Sequence, residues 1–309
     1  MKKVFVTGAS GFIGSNLICY LANKGMEVYA LVENESMIHE LKNVHYIVGD
    51  LNDIGSIVDQ LPAKRIDTVY HLAWKGVRAD LKNNMEIQVE NMDYFFNMLE
   101  IIKKLNIYKL IIPESISQFA YAKGEVSACT PPSPADTYAA VKIAIHYIAD
   151  AFAQNENIEL IHAVLPSIYG PGRDDNNLIS YTIKSLLKEE VPQFTKLEQT
   201  WEYLYIDDLI EALYLLGEKG KNKKTYFIGS NERKKLKDYV EIIKEKLNPS
   251  GQLNIGTLPY KNNKIDNSIL DSTEFVRDTG FNAKVSFDVG IQNTISFFKK
   301  FLEETNTNN

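Results

Sequence analysis

A glycine-rich turn near the start of the chain constrains the fold more than any other feature. An almost wholly apolar run, residues 4–7, leads into Thr7-Gly8-Ala9-Ser10-Gly11-Phe12-Ile13-Gly14, and an amphipathic helical pattern follows over 12–23. Gly8 permits a tight turn, Gly11 admits a close backbone approach to a pyrophosphate, and Gly14 lets the helix lie against the strand. The free N–H groups of the helix then face the phosphates. Strand, glycine turn and helix in this order predict a dinucleotide site built from Gly8, Ser10, Gly11, Phe12, Ile13 and Gly14.

The pattern downstream fits that start. Short β-rich runs at 27–32, 44–48, 68–72, 109–112 and 160–165 alternate with helical stretches that include 86–105 and 138–153. Such alternation predicts an α/β fold, a Rossmann-type doubly wound parallel sheet with a smaller C-terminal α/β lobe for the substrate. Residues 1–165 are expected to form the dinucleotide-binding domain, with 200–220 packing back on it. Residues 166–199 and 221–309 are expected to form the smaller lobe. Lysine and asparagine cluster at 219–224 and 261–267, read as solvated loops, and the polar tail 303–309 is expected to fray.

Charge and cysteine content narrow the function classes. Lys and Arg total 34 against 40 Asp and Glu, a net charge of −6, so a nucleic-acid partner is not expected. The two cysteines, Cys19 and Cys129, supply neither a disulfide framework nor a metal site, which fits a reducing cytoplasm. The opening apolar run is broken by glycines, and no later run reaches bilayer length, so neither export nor membrane insertion is expected.

The strongest chemical signal is Tyr138-Ala139-Ala140-Val141-Lys142. Spacing i,i+4 stacks a phenol and an ammonium on one helix face. The ammonium is expected to lower the phenol pKa toward a useful range for proton exchange. After the second strand stands Glu33, an acidic group suited to ribose hydroxyls and hostile to an extra phosphate; NAD is the expected cofactor, with NADP an open alternative.

The GxxGxxG spacing together with the downstream Tyr-Lys pair resembles the extended short-chain dehydrogenase/reductases. Two further segments are similar to the NAD-dependent epimerase/dehydratase family of nucleotide-sugar enzymes: Ser167-Ile168-Tyr169-Gly170-Pro171-Gly172-Arg173, and Trp201-Glu202-Tyr203-Leu204-Tyr205-Ile206-Asp207-Asp208. The resemblance implies that Asp50 and Leu51 receive the adenine and that Leu72, Ala73, Trp74 and Ile168 line the cofactor. It also implies that Asn91 organises the site. It makes Ser115 the third catalytic member beside Tyr138 and Lys142, and Ser117, Ser167, Arg173 and Trp201 substrate contacts. The substrate implied is a nucleotide sugar, and the assembly a homodimer through the helices bearing Asn91 and Tyr138. Phe95, Leu99, Ile102, Ile145 and Phe152 are candidates for that interface or for packing on the sheet.

Within such a family, dehydratases carry an acidic pair after the catalytic hydroxyl, where this chain has Ile116 and Ser117. That leaves hydride exchange at the sugar C4, either as a 4-keto reductase or 4-dehydrogenase, or twice over as a 4-epimerase. A non-catalytic dinucleotide sensor or scaffold is the reading from another class.

Overall fold

The computed structural model describes residues 1–62, 66–260 and 267–307, with the backbone alone at 267–268 and 305–307; most of the expected loop at 261–267 lies outside these. In chain order the elements are β1 (Lys3–Thr7), α1 (Phe12–Asn23), β2 (Glu27–Val32), β3 (Val44–Val48), α2 (Ile54–Gln60), β4 (Thr68–His71), α3 (Met85–Lys104), β5 (Lys109–Ser115), α4 (Thr137–Glu156), β6 (Glu159–Leu165) and β7 (Ser167–Tyr169). They continue as α5 (Leu178–Leu187), β8 (Gln193–Phe194), β9 (Thr200–Tyr205), α6 (Ile206–Lys219), β10 (Lys224–Phe227), β11 (Arg233–Lys235), α7 (Leu236–Leu247), β12 (Asn254–Ile255), β13 (Asn267–Ser268), α8 (Thr273–Thr279) and α9 (Phe287–Thr307).

Seven strands pair in the order β10-β6-β5-β4-β1-β2-β3. Each neighbouring pair is parallel. The central strands carry apolar residues on both faces because helices cover both: Val4, Val6 and Val28 pack with Leu17 and Leu21 of α1, while Phe5 and Val69 pack with Phe95 and Met98 of α3. Strand order reverses between β1 and β4, which opens a crevice beyond their C-terminal ends.

The expected segment 200–220 is divided between the two parts: β9 belongs to the smaller lobe, and α6 lies against α1. Tyr20 meets Tyr214 edge-on at 5.7 Å, and the Tyr70 hydroxyl donates to the Leu213 carbonyl at 2.9 Å. The span 221–309, expected wholly in the smaller lobe, gives β10 to the large sheet, where it pairs with β6. Its lysines at 223 and 224 concealed a short strand ending in buried Tyr226 and Phe227. The smaller lobe is organised around β9, which pairs with β7, β11 and β13.

One local expectation fails, and one open alternative is decided. The polar tail does not begin to fray at 303, since α9 runs on to Thr307; its buried Phe287, Ile291, Ile295 and Phe298 recur at helical spacing and anchor it. Phe95, Leu99, Ile102 and Ile145 are spent inside the chain, packed with the sheet in one core cluster against which Phe152 also rests. No helix among the described residues is long and apolar enough to cross a membrane.

Candidate active site

The crevice at the β1–β4 switch is lined by Gly8, Ser10, Gly11, Leu31, Val32, Glu33, Asp50, Leu51, Leu72, Ala73, Trp74 and others. Gly8 has φ +67°, and a side chain there would strike the Ala73 backbone nitrogen at 2.7 Å; one at Gly14 would stand 2.1 Å from the Gly8 carbonyl oxygen. The turn is therefore pressed between α1 and the end of β4. Gly11 begins α1 without a side-chain cap, whereas Asp53, Asn84, Asp136 and Asn177 cap α2, α3, α4 and α5 with their side chains. The first N–H groups of α1 are left to a ligand. Glu33 follows β2 on the rim, and Asp50 follows β3 with Oδ2 3.4 Å from the Tyr94 hydroxyl. An exposed N-terminus of α1, a side-chain-free cradle and an acidic rim fit a dinucleotide with unmodified ribose hydroxyls.

Thr7 locks the two strand ends together. Its hydroxyl lies 2.9 Å from His71 Nδ1 and accepts the Ala73 N–H at 3.2 Å. Burial depresses His71 to about 3, so the ring is neutral. Asn91 is buried on α3 and holds the next residues: its Oδ1 accepts from Lys75 N–H at 2.7 Å and its Nδ2 donates to the Lys75 carbonyl at 3.1 Å. One turn earlier Gln88 accepts from Trp74 Nε1 at 3.1 Å and donates to the carbonyls of Gly76 and Leu81.

Ser115 ends β5, and its hydroxyl caps the short 3-10 turn Ile116–Phe119 while donating to Ser117 Oγ at 3.1 Å. The Ser115 hydroxyl also acts on the Tyr138 phenol, favouring its ionised form. Tyr138 is the second residue of α4. The first turn is pinned from outside: Thr137 N–H donates to Asn83 Oδ1 at 3.0 Å, Tyr138 N–H to the Lys82 carbonyl at 2.9 Å, and Ala139 N–H to the Asp136 cap at 2.8 Å. Lys142, one turn on, donates to the Pro113 carbonyl at 3.0 Å and stands 3.8 Å over the Trp74 ring and 5.7 Å from the centre of the Tyr138 ring.

The phenol is not lowered as expected. Burial pushes Tyr138 up to about 12, outweighing the Ser115 hydrogen bond, which acts the other way. Burial likewise brings Lys142 down to about 8 despite the nearby Glu114 charge. The Lys142 ammonium is directed to a carbonyl and an indole, not to the phenol oxygen.

The predicted substrate contacts fall into two places. Ser117 adjoins Ser115. Trp201 Nε1 donates to Ser167 Oγ at 2.9 Å, so these two residues meet across β7 and β9. Arg173 is engaged by Asp175 at 2.8 Å and by the Ile168 carbonyl, with its guanidinium 5.8 Å from the centre of the Phe12 ring. Ile168 itself is buried.

Three groups were missed by sequence reasoning. Lys75 lines the crevice and is paired with Glu90 at 2.8 Å. Lys82 lies against Tyr138. Buried Glu114, the residue before Ser115, is 2.7 Å from both His146 Nδ1 and His162 Nδ1, and Asp150 closes the group from the far side of the rings. Burial works to raise Glu114, but the imidazoles outweigh it and hold the carboxyl at about 2. The signal was a row on α4: Tyr138, Lys142, His146 and Asp150 recur every four residues.

Comparison with known proteins identifies this architecture. The profile of the NAD dependent epimerase/dehydratase family matches residues 4–229. The chain belongs to this family. It is 22% identical to a probable dTDP-glucose 4,6-dehydratase of Sinorhizobium fredii, over 96% of this chain and 92% of that one. It is 23% identical to CDP-abequose synthase of Salmonella muenchen, over 96% and 97%. Among solved structures, the UDP-glucose 4-epimerase of Thermotoga maritima superposes with a TM-score of 0.87 at 22% identity, covering 97% of this chain and 99% of that one. Family membership makes the chain one of the NAD-dependent enzymes.

Proposed function

We propose that the chain is an NAD-dependent oxidoreductase acting at C4 of a nucleotide-activated sugar, of the 4-keto reductase or 4-dehydrogenase type. The observation that carries this reading is the buried Tyr138 phenol, whose ring meets the crevice residue Trp74 edge-on at 5.5 Å while Lys142 stands 3.8 Å over the same indole. A protonated phenol is a proton donor, as reduction of a ketone requires. Ser115 holds the substrate oxygen, Tyr138 gives or takes its proton, and Lys142 supplies positive charge one turn away. When bound, NADH would supply the hydride for reduction and NAD would accept it for oxidation. Ile116 and Ser117 offer no ionisable group for eliminating water. The nucleotide-sugar names of the relatives support the substrate class.

The homodimer belongs to the same reading. With the interior residues of α3 and α4 already packed, the surface they leave includes Val89, Phe96 and Tyr147, exposed by 45%, 42% and 59%. Sedimentation should give a dimer that Phe96→Asp weakens; a monomer at high concentration would remove this part.

The main test mixes the chain with NADH and dTDP-4-keto-6-deoxyglucose, or with NAD and UDP-hexoses. A reductase or dehydrogenase changes NADH absorbance one-for-one with product. An epimerase interconverts the hexoses with no net change in cofactor, and a sensor binds NADH without turnover. Tyr138→Phe should lower turnover about 10²- to 10⁴-fold while NADH binding persists.

A further inference from the structure

Lys82 lies against the Tyr138 ring and has no part in the roles assigned above. Its backbone is fixed by the Tyr138 and Thr137 N–H groups that dock on residues 82 and 83. From there the side chain crosses the Tyr138 ring, its ammonium 4.8 Å from the ring centre, and ends 3.4 Å from Ser117 Oγ. Only 27% of the side chain is exposed.

The carboxylate that answers this charge, Asp136, makes only a long ion pair with it. Asp136 is 3.9 Å away, beyond hydrogen-bond range, and one of its oxygens is committed to capping α4. Arg173 and Lys75 differ, since each is matched by a carboxylate at 2.8 Å. Burial holds the Lys82 ammonium below the ordinary lysine range. A cation drawn partly out of water and held by one long ion pair gains when a second anion docks within hydrogen-bond range.

The geometry points to a carboxylate subsite at Lys82, which receives an acidic C6 group of a hexuronate whose C4 is handled by Ser115 and Tyr138. This rests on the nucleotide-sugar reading above. The substrate carries two kinds of anion, and position chooses between them. The diphosphate lies across the sugar ring from C4, whereas a C6 group is joined to C5, the neighbour of C4. Lys82 reaches over the very phenol that serves C4 and touches the serine two residues from Ser115, so it meets the C6 side.

Calorimetry on the NAD-bound chain compares UDP-glucuronic acid with UDP-glucose, which differ only at C6. We expect the uronate to bind about tenfold tighter or better. Lys82→Met should weaken the uronate alone and bring the ratio near one, and Lys82→Arg should keep most of the preference. Lys82→Gln provides a second neutral variant should the methionine disturb folding. Equal affinities in the unaltered chain overturn the subsite. So does a neutral variant that weakens both sugars alike, which would assign the cation to the diphosphate, or one that leaves the preference intact. Binding of neither sugar also overturns it, and retained NAD binding in that case leaves the oxidoreductase reading standing.

Discussion

Tyr138 and Lys142 are one helical turn apart, yet burial drives them in opposite senses, the phenol to about 12 and the ammonium to about 8. Across the neutral range the phenol stays protonated while the lysine approaches its titration. If catalysis uses the Lys142 charge, kcat/KM should fall as pH rises through about 8. Tyr138 cannot produce that limb. Lys142→Arg retains the charge and should move the limb upward; a limb unmoved in this variant belongs to another group. At the glycine turn, Gly14→Ala would force a methyl to within 2.1 Å of the Gly8 carbonyl. A loss of about 1–3 kcal/mol in urea unfolding is expected, together with weaker NAD binding, because the crevice floor must shift.

The helix that carries the phenol depends on its cap. Asp136→Ala should cost about 1 kcal/mol by thermal or urea unfolding. It should also lower turnover, since Tyr138 lies in the same first turn; unchanged turnover would mean that the docking of residues 82 and 83 on α4 positions the phenol unaided. Elements of this kind were legible in the sequence wherever local chemistry and periodicity agreed. α1 and β2 were read to the residue because apolar runs abut glycine punctuation, whereas the Tyr138 helix, expected at 138–153, runs from Thr137 to Glu156. Sites assembled from distant positions were not. The Glu114 group was missed because its histidine partners come from α4 and β6, distant in sequence. Lys82 sits in an irregular connection, where no periodicity signals what the side chain will face.

At the scale of the whole molecule, the Glu114 group links β5, β6 and α4, and its ionisation should register in stability. Burial opposes the His162 charge, but Glu114 prevails and lifts the imidazole from its ordinary 6.5 to about 9. A raised folded-state value stabilises fully below 6.5 and is lost as pH climbs through 9. Urea midpoints should therefore decline between these limits, and Glu114→Gln should flatten the decline; an equal slope in this variant would assign it elsewhere. The seating of β10 at the border of the large sheet has its own consequence. Trimming the chain after residue 220 would strip β6 of its neighbour and uncover a row of unsatisfied backbone groups. Such a fragment should clump when expressed alone and recover if the missing C-terminal piece is supplied in trans, so the cofactor-binding half is not an autonomous module.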